Sequence, residues 1–309
     1  MKVRYGQITV LLALITILSL GLSALTGVSR TSRDGDTVTV VAGFYPMYTA
    51  ACQVAGDSDG VTVSCLTQPS VGCMHEYQLS PAERAVLEQA DVLILNGAGA
   101  ESFLQPSLSA ISATVVDTSA SLPLQESHDH HEHDGHTHSV NEHLWMHPTY
   151  YAEQVKCIEE ALCAADPANA ERYRANAAAY REQIKETTEV LIAAAQALPF
   201  DGVVLFHDSL AYPAEWLGLS VFGELPIGED DGFSAKDVAT VTDAVRGRNV
   251  LFLYDDQYPL QMTQLTEDTA RSAIVSLNTA VRPIAGVADT DTWLSAMKQN
   301  IQRIREVAQ

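Results

Sequence analysis

The stretch NAERYRANAAAYREQIKETTEVLIAAAQAL, residues 169–198, contains neither glycine nor proline. It is rich in alanine, glutamate and arginine, which have high helix propensity. Asp166 and Pro167 lie shortly before it, and proline in the first turn is typical of a helix start. The pattern predicts one long rigid helix over residues 166–198 that links the segments on either side.

Short apolar runs, rich in valine, isoleucine and leucine, alternate with helical patterns on both sides of this helix. Four runs precede it, at 37–42, 61–66, 91–96 and 113–118, and four follow it, at 202–206, 219–222, 249–254 and 273–277. Such runs are typical of buried parallel strands covered by helices. We therefore predict an α/β protein with two lobes, 37–165 and 199–309, each with a mostly parallel sheet flanked by helices.

Two helix starts are marked after strands of the first lobe. Ser80, Pro81 and Glu83 form the pattern of a capping box with proline at the first helical position. The segment NGAGAE, residues 96–101, lacks the third glycine of a dinucleotide-binding loop. We interpret it as a strand-to-helix turn, with a helix opening at Glu101.

The amino-terminal segment is typical of an exported protein. Lys2 and Arg4 precede an uncharged stretch, residues 5–29, whose centre is almost wholly apolar. This is the layout of a secretory signal or an uncleaved signal anchor, and we expect residues 1–36 to be that segment with a polar tether. The rest of the chain is then extracytoplasmic, either secreted or held at the membrane. No cysteine directly follows the apolar run, so we do not expect a bacterial lipoprotein anchor.

The formal net charge of −21 argues against nucleic acid and anionic membrane surfaces as partners, because both repel an acidic protein. An acidic chain suits a cation far better. We expect a monomer that binds no nucleic acid.

Histidine is distributed very unevenly along the chain. Six of the ten histidines lie in SHDHHEHDGHTH, residues 127–138, namely His128, His130, His131, His133, His136 and His138. Of the other four, three are predicted to lie in loops at strand ends or helix starts: His75, His143 and His207. Ligands of open α/β sheets bind at such edges. Three imidazoles that converge in a cleft suit Zn²⁺.

Several motifs resemble those of cluster A-I solute-binding proteins, the zinc- and manganese-binding components of ABC importers. The similar segments are GCMHEYQLSP (72–81), NGAGAESFL (96–104), NEHLWMHP (141–148), FHDSLAY (206–212), FSAKDVATVTDAV (233–245) and NVLFLYDDQYP (249–259). The similarity as a whole spans roughly residues 37–305, and these segments occur in the family's order. The resemblance implies metal ligation by His75, His143 and His207. A histidine at position 207, where manganese members have a carboxylate, and a histidine-rich loop between the first two ligands both indicate the ZnuA-like zinc branch.

The chain departs from the family pattern at several positions. The family's Asp-Pro before the second ligand is Asn141-Glu142 here, and its late aspartate falls on Asn278. The fourth ligand is therefore open between water, Glu76 and Asp255. His147 is either a donor to a second site, a cap of the following helix or a solvent-facing residue.

The resemblance implies a protein that is not an enzyme but delivers Zn²⁺ to an ABC importer permease. We expect the tract at 127–138 to be a mobile loop that captures zinc. Within the transport class the alternative cargo is Mn²⁺ or Fe²⁺. The alternatives from other classes are a zinc buffering or storage protein and a zinc hydrolase, although the sequence lacks the HExxH motif of such hydrolases.

Overall fold

All eight predicted strands are present in the chain. The computed structural model describes residues 37–67, 74, 77–125, 140–225, 234–258 and 266–309. The strands are β1 (Val38–Ala42), β2 (Val61–Cys65), β3 (Val92–Leu95), β4 (Thr114–Asp117), β5 (Gly202–Leu205), β6 (Ser220–Glu224), β7 (Asn249–Asp255) and β8 (Arg271–Leu277). The predicted signal segment, residues 1–36, lies outside the described residues.

The strands form two parallel sheets with the same topology. The first has the order β2-β1-β3-β4 and the second the order β6-β5-β7-β8. In each sheet the strand order changes direction between the two central strands. These are β1 and β3 in the first sheet and β5 and β7 in the second. Ligands of open parallel sheets bind outside the carboxyl ends of such a pair. The prediction of two α/β lobes is confirmed.

The described helices are α1 (Tyr45–Ala55), α2 (Pro81–Gln89), α3 (Gln105–Leu108), α4 (Pro148–Ala165), α5 (Ala170–Ala195), α6 (Ala211–Leu217), α7 (Ala235–Val245) and α8 (Thr292–Val307). The capping box predicted at Ser80 is present at the start of α2. Within the described ranges, no helix is long and apolar enough to cross a membrane.

Two predicted helices have different bounds in the structure. The long linking helix is α5, and a 3-10 turn, Pro167–Asn169, precedes it. The helix predicted to open at Glu101 consists of a 3-10 turn, Ser102–Leu104, with Glu101 at its N-cap position, followed by the single turn α3. Pro106 has no N–H to continue a helix that starts upstream, which accounts for the break. The lobe limits 37–165 and 199–309 stay a prediction.

The linking helix α5 is packed along its length and is not an isolated strut. It contacts α1 and α4 of the first lobe and α6 and α8 of the second. One hydrophobic core includes buried side chains from α5 and from both sheets, among them Tyr180, Val40 and Leu251. Relative movement of the lobes therefore has to deform a shared core, which favours small displacements.

Indole N–H groups and backbone carbonyls also join the two lobes. The 3-10 turn Leu144–Met146, which precedes α4, lies at this junction. Trp293 Nε1 donates to the carbonyl oxygen of Trp145 at 2.9 Å, and Trp216 Nε1 donates to that of Met146 at 3.1 Å. In the other direction, Trp145 Nε1 donates to Thr279 O at 2.8 Å. These bonds hold the segment that carries His143 against the second lobe.

The turn after β3 is built on a buried carboxyl group. Glu101 accepts hydrogen bonds from Asn96 N at 2.8 Å and from Gly97 N at 3.2 Å. Gly43 leaves room for it, since a β-carbon there would lie 2.8 Å from Glu101 Oε1. The interpretation of NGAGAE as a turn is confirmed. Burial raises the pKa of the Glu101 carboxyl from 4.5 to about 8.

This raised pKa predicts a pH-dependent stability. The unfolded carboxyl ionises near its ordinary pKa, whereas the folded one keeps its proton up to about pH 8. The contribution of Glu101 is therefore fully present below pH about 4.5 and is lost as the pH rises towards 8. Glu101→Gln cannot ionise, and it leaves one buried N–H without an acceptor at a cost of about 1–3 kcal/mol. Urea unfolding at pH 5 and pH 8 should show a deficit for Glu101→Gln that narrows at the higher pH. A deficit that stays constant would contradict the raised pKa.

Candidate metal centre

A cavity lies where the carboxyl ends of the two sheets face each other. Phe44 and Ala100, which line it, follow strands β1 and β3 of the first sheet. His207 and Asp255, which also line it, lie beyond β5 and at the end of β7 of the second sheet. The cavity is therefore placed at the central strand pair of both sheets, as the sheet-edge argument predicted.

Two of the predicted ligands, His143 and His207, meet in this cavity. Their ring centroids are 5.3 Å apart and their planes are nearly perpendicular, at 83°. Their side chains are 12% and 17% exposed. Because the first residue precedes α4 and the second follows β5, each lobe contributes one imidazole. Two largely buried imidazoles that line one cavity provide nitrogen donors for a divalent cation.

Asp208 interacts with both imidazoles. Its Oδ1 lies 3.1 Å from Nδ1 of His207 and 3.5 Å from Nδ1 of His143. Ligand atoms of these three residues lie within 4.8 Å of one another. Both rings line the cavity, whereas Asp208 is not among the described residues that line it. A carboxylate at these distances can accept a hydrogen bond from a protonated Nδ1 and so orient an imidazole.

The role of Asp208 was missed in the sequence analysis, although it directly follows a predicted ligand. An acid next to a metal-binding histidine is a signal that could have found it. The carboxylate approaches His143, 65 positions away in sequence, only after the two lobes have packed together. Its effect on both rings is therefore visible only in the tertiary structure.

The His207 ring has further polar and aromatic neighbours. Its Nδ1 lies 2.8 Å from Ser209 Oγ and accepts a hydrogen bond from Ser209 N at 3.1 Å. The ring of Tyr258 stacks on it with centroids 5.3 Å apart and planes 19° apart. Because a backbone N–H can only donate, Nδ1 carries the lone pair in this geometry and the neutral ring is protonated on Nε2. Cation binding through Nε2 requires the proton on Nδ1, which would then donate to Asp208 or to Ser209 Oγ in place of accepting from Ser209 N.

Two carboxylates also line the cavity, Glu142 and Asp255, and both are nearly fully buried. Asp255 accepts hydrogen bonds from Gln257 N at 2.9 Å and from Thr279 Oγ1 at 3.1 Å. Burial raises the pKa of Asp255, while its hydrogen bonds and the nearby His207 oppose that shift. Acidic groups around two imidazoles make the cavity favourable for a cation. Ligation by Asp255 stays a prediction.

The remaining predicted metal-binding residues lie outside the described residues. They are the third imidazole, His75, the alternative ligand Glu76 and the six histidines of the tract at 127–138. Met74, which immediately precedes His75, is described and lines the cavity.

His147 and Asn278 do not line this cavity. His147 is the N-cap residue of α4, as one interpretation predicted, but its side chain makes no capping hydrogen bond. Its ring stacks on Tyr150 with centroids 4.2 Å apart, and no described group bonds its buried Nδ1. Burial lowers the pKa of His147. The Asn278 amide instead donates to Gln299 Oε1 at 3.1 Å and accepts from Ala280 N at 2.9 Å.

Comparison with known families identifies the class of protein. Residues 40–307 match the family described as ZnuA, zinc-uptake complex component A, periplasmic. The chain belongs to the ZnuA family. Members of the ZnuA family are solute-binding proteins of metal-uptake systems and not enzymes, which removes the zinc hydrolase as an alternative. The extracytoplasmic location is confirmed, while the kind of anchor stays a prediction.

Individual relatives are similar to this chain in sequence, and a solved structure is similar to it in fold. The zinc-binding lipoprotein AdcA of Streptococcus pneumoniae (strain ATCC BAA-255 / R6) is 25% identical over 286 residues, which cover 87% of this chain and 55% of that protein. The chain thus spans about half the length of that relative. The high-affinity zinc uptake system protein ZnuA of Bacillus subtilis (strain 168) is 23% identical over 286 residues, 88% of each chain. A crystal structure of ZnuA has the same fold, with a TM-score of 0.67, 23% identity and coverage of 89% of this chain and 100% of that one.

Proposed function

We propose that this protein binds Zn²⁺ between its two lobes and delivers it, as a monomer, to the membrane permease of an ABC importer. The observation that carries the proposal is the meeting of His143 and His207, one from each lobe, with ring centroids 5.3 Å apart. A cation held there contacts both lobes, so its binding and release are coupled to how the lobes pack. That coupling is what a permease needs in order to take the ion.

The donor set favours zinc over harder cations. Imidazole nitrogen suits Zn²⁺, whereas Mn²⁺ prefers oxygen donors. His75 is the third imidazole of the proposal, and the cavity-lining Met74 immediately before it supports that choice. Glu76, Asp255 or a water completes four-coordination. The carboxylates of Glu142 and Asp255 in the cavity wall balance the charge of the ion.

The histidine tract at 127–138 is proposed to collect zinc near the cavity. Its flanks support this role, because the described residues on either side are held together: Asn141 N donates to Gln125 O at 2.9 Å. Gln125 also hydrogen-bonds Glu215 of the second lobe. Asn141 is two residues from His143. The described residues on both flanks of the tract therefore lie near the proposed site.

Measuring zinc uptake in cells that lack this protein distinguishes delivery to a permease from zinc storage. Cells given the full-length chain should recover uptake from medium with scarce zinc, and cells given His207→Ala should not. A chain without residues 127–138 should restore uptake when zinc is plentiful but more slowly when it is scarce, because the tight site survives. Manganese and iron uptake should be the same in all strains. If deletion of the protein lowers the zinc content of the cells without slowing uptake, storage replaces delivery as the function.

A further inference from the structure

Asn141 is buried at the junction of the lobes, with 1% of its surface exposed, and its side chain bonds to both of them. Its Oδ1 accepts a hydrogen bond from the backbone N–H of His143 at 3.0 Å. Its Nδ2 donates to the backbone carbonyl of Asp208, 67 residues away, at 2.8 Å. One amide thus connects the segment that carries His143 with the loop that carries His207.

These two backbone partners fix the orientation of the amide. A backbone N–H can only donate and a backbone carbonyl can only accept, so the oxygen must face His143 and the nitrogen must face Asp208. Nδ1 of His143 lies 3.0 Å from that same Oδ1. Since Oδ1 is an acceptor, Nδ1 has to carry a proton to make this bond. The neutral ring then has its lone pair on Nε2, the nitrogen free to bind a cation.

We propose that Asn141 is a positioning residue that sets the tautomer of His143 and fixes this ligand relative to the loop of His207. The inference rests on the proposed function, in which both rings hold one ion. Aspartate at this position could accept from His143 but could not donate to Asp208 O. Asparagine does both, and it adds no second negative charge beside the Asp208 carboxylate.

The backbone of Asn141 holds the side chain in place. Its N–H donates to Gln125 O at 2.9 Å, and its carbonyl accepts from the hydroxyl of Tyr212 at 3.0 Å. The side-chain amide is therefore positioned from both lobes before any ion binds. A ligand that is held in its binding tautomer loses less freedom when the cation arrives.

The test uses the metal-free chain and two variants of similar side-chain volume. Asn141→Leu removes both polar partners, and Asn141→Asp keeps the acceptor while removing the donor. Long-range ¹H–¹⁵N correlation spectra of ¹⁵N-histidine protein report which ring nitrogen of His143 is protonated. We expect the His143 ring to be protonated on Nδ1 in the wild type and in Asn141→Asp. In Asn141→Leu we expect the preference for the Nδ1–H tautomer to be lost.

Zinc affinity, measured by competition with a chelator, gives the second measurement. We expect Asn141→Leu to bind about 10–100-fold more weakly, the cost typical of losing an outer partner of a ligand. Asn141→Asp should recover part of that loss, because it keeps the acceptor. If the wild-type ring is protonated on Nε2, or if Asn141→Asp binds as weakly as Asn141→Leu, the proposal is overturned. The wild-type spectrum decides the tautomer even if Asn141→Leu does not fold.

The same pair of measurements separates this inference from the proposed function. A wild-type chain that shows Nδ1–H but binds no zinc refutes zinc binding while the tautomer assignment stands. A chain that binds zinc with His143 protonated on Nε2 in its metal-free form refutes the role of Asn141 and leaves the zinc proposal intact.

Discussion

His207→Ala is expected to weaken Zn²⁺ binding by at least ~100-fold, more than the loss typical of an outer partner, because in the proposed site it removes a direct ligand. The ring contributes the second lobe's nitrogen donor, and its side chain is only 17% exposed, so water replaces it in a confined and partly charged space. Removal also leaves Asp208 without the closer of its two imidazole partners. Competition with a chelator, read out by metal analysis of the purified protein, measures the change.

Two further variants show whether the loss is specific to the centre. His143→Ala should weaken zinc to a similar extent, because it removes the nitrogen donor of the other lobe. His147→Ala is the matched control: this imidazole is also partly buried and lies four residues from His143, but it does not line the cavity. Its loss should leave the zinc affinity within about twofold of the wild type, which is a change in binding free energy of less than about 0.5 kcal/mol. A His207→Ala protein with wild-type affinity would exclude a shared ion between the two rings.

Trp293→Ala is expected to lower the free energy of unfolding by about 3–5 kcal/mol, the range for truncating a large buried aromatic side chain. Trp293 is fully buried on α8, and its ring stacks on Tyr151 of α4 with centroids 4.5 Å apart and planes 17° apart. Its Nε1 donates to Trp145 O at 2.9 Å, so truncation also leaves a buried acceptor with one bond fewer. The cavity that remains would lie in the core shared by both lobes.

Urea unfolding followed by circular dichroism measures this loss. Trp293→Phe keeps most of the volume but not the N–H, so its loss should be clearly smaller. Ile192→Ala on α5 is the surface control, since Ile192 is 41% exposed, and it should change stability by about 0.5 kcal/mol or less. Trp293→Ala should also weaken zinc binding, by less than His207→Ala, because the segment next to His143 loosens. Equal stability losses for Trp293→Ala and Ile192→Ala would contradict a core shared by the two lobes.

The sequence predicted the secondary structure best where the signal is local. Each strand is a short apolar run, and the capping box of Ser80 and Glu83 is satisfied within four residues. The prediction was poorer at helix ends. Pro106 breaks the helix expected from Glu101, and α5 stops at Ala195, before the end of the Ala-rich run. Helix propensity has little influence on where a packed helix ends, because tertiary contacts decide which terminal residues are stabilised.

The sequence alone determined that this is a two-lobed α/β protein and that His143 and His207 belong at the sheet edges where a ligand binds. Periodicity and position after a strand are properties of neighbouring residues, so they can be read without a structure. Only the tertiary structure brought the two rings to 5.3 Å and placed Asp208 and Asn141 beside them. Those contacts join residues about 65 positions apart. They depend on how two lobes and α5 pack into one core, and no local pattern encodes that packing.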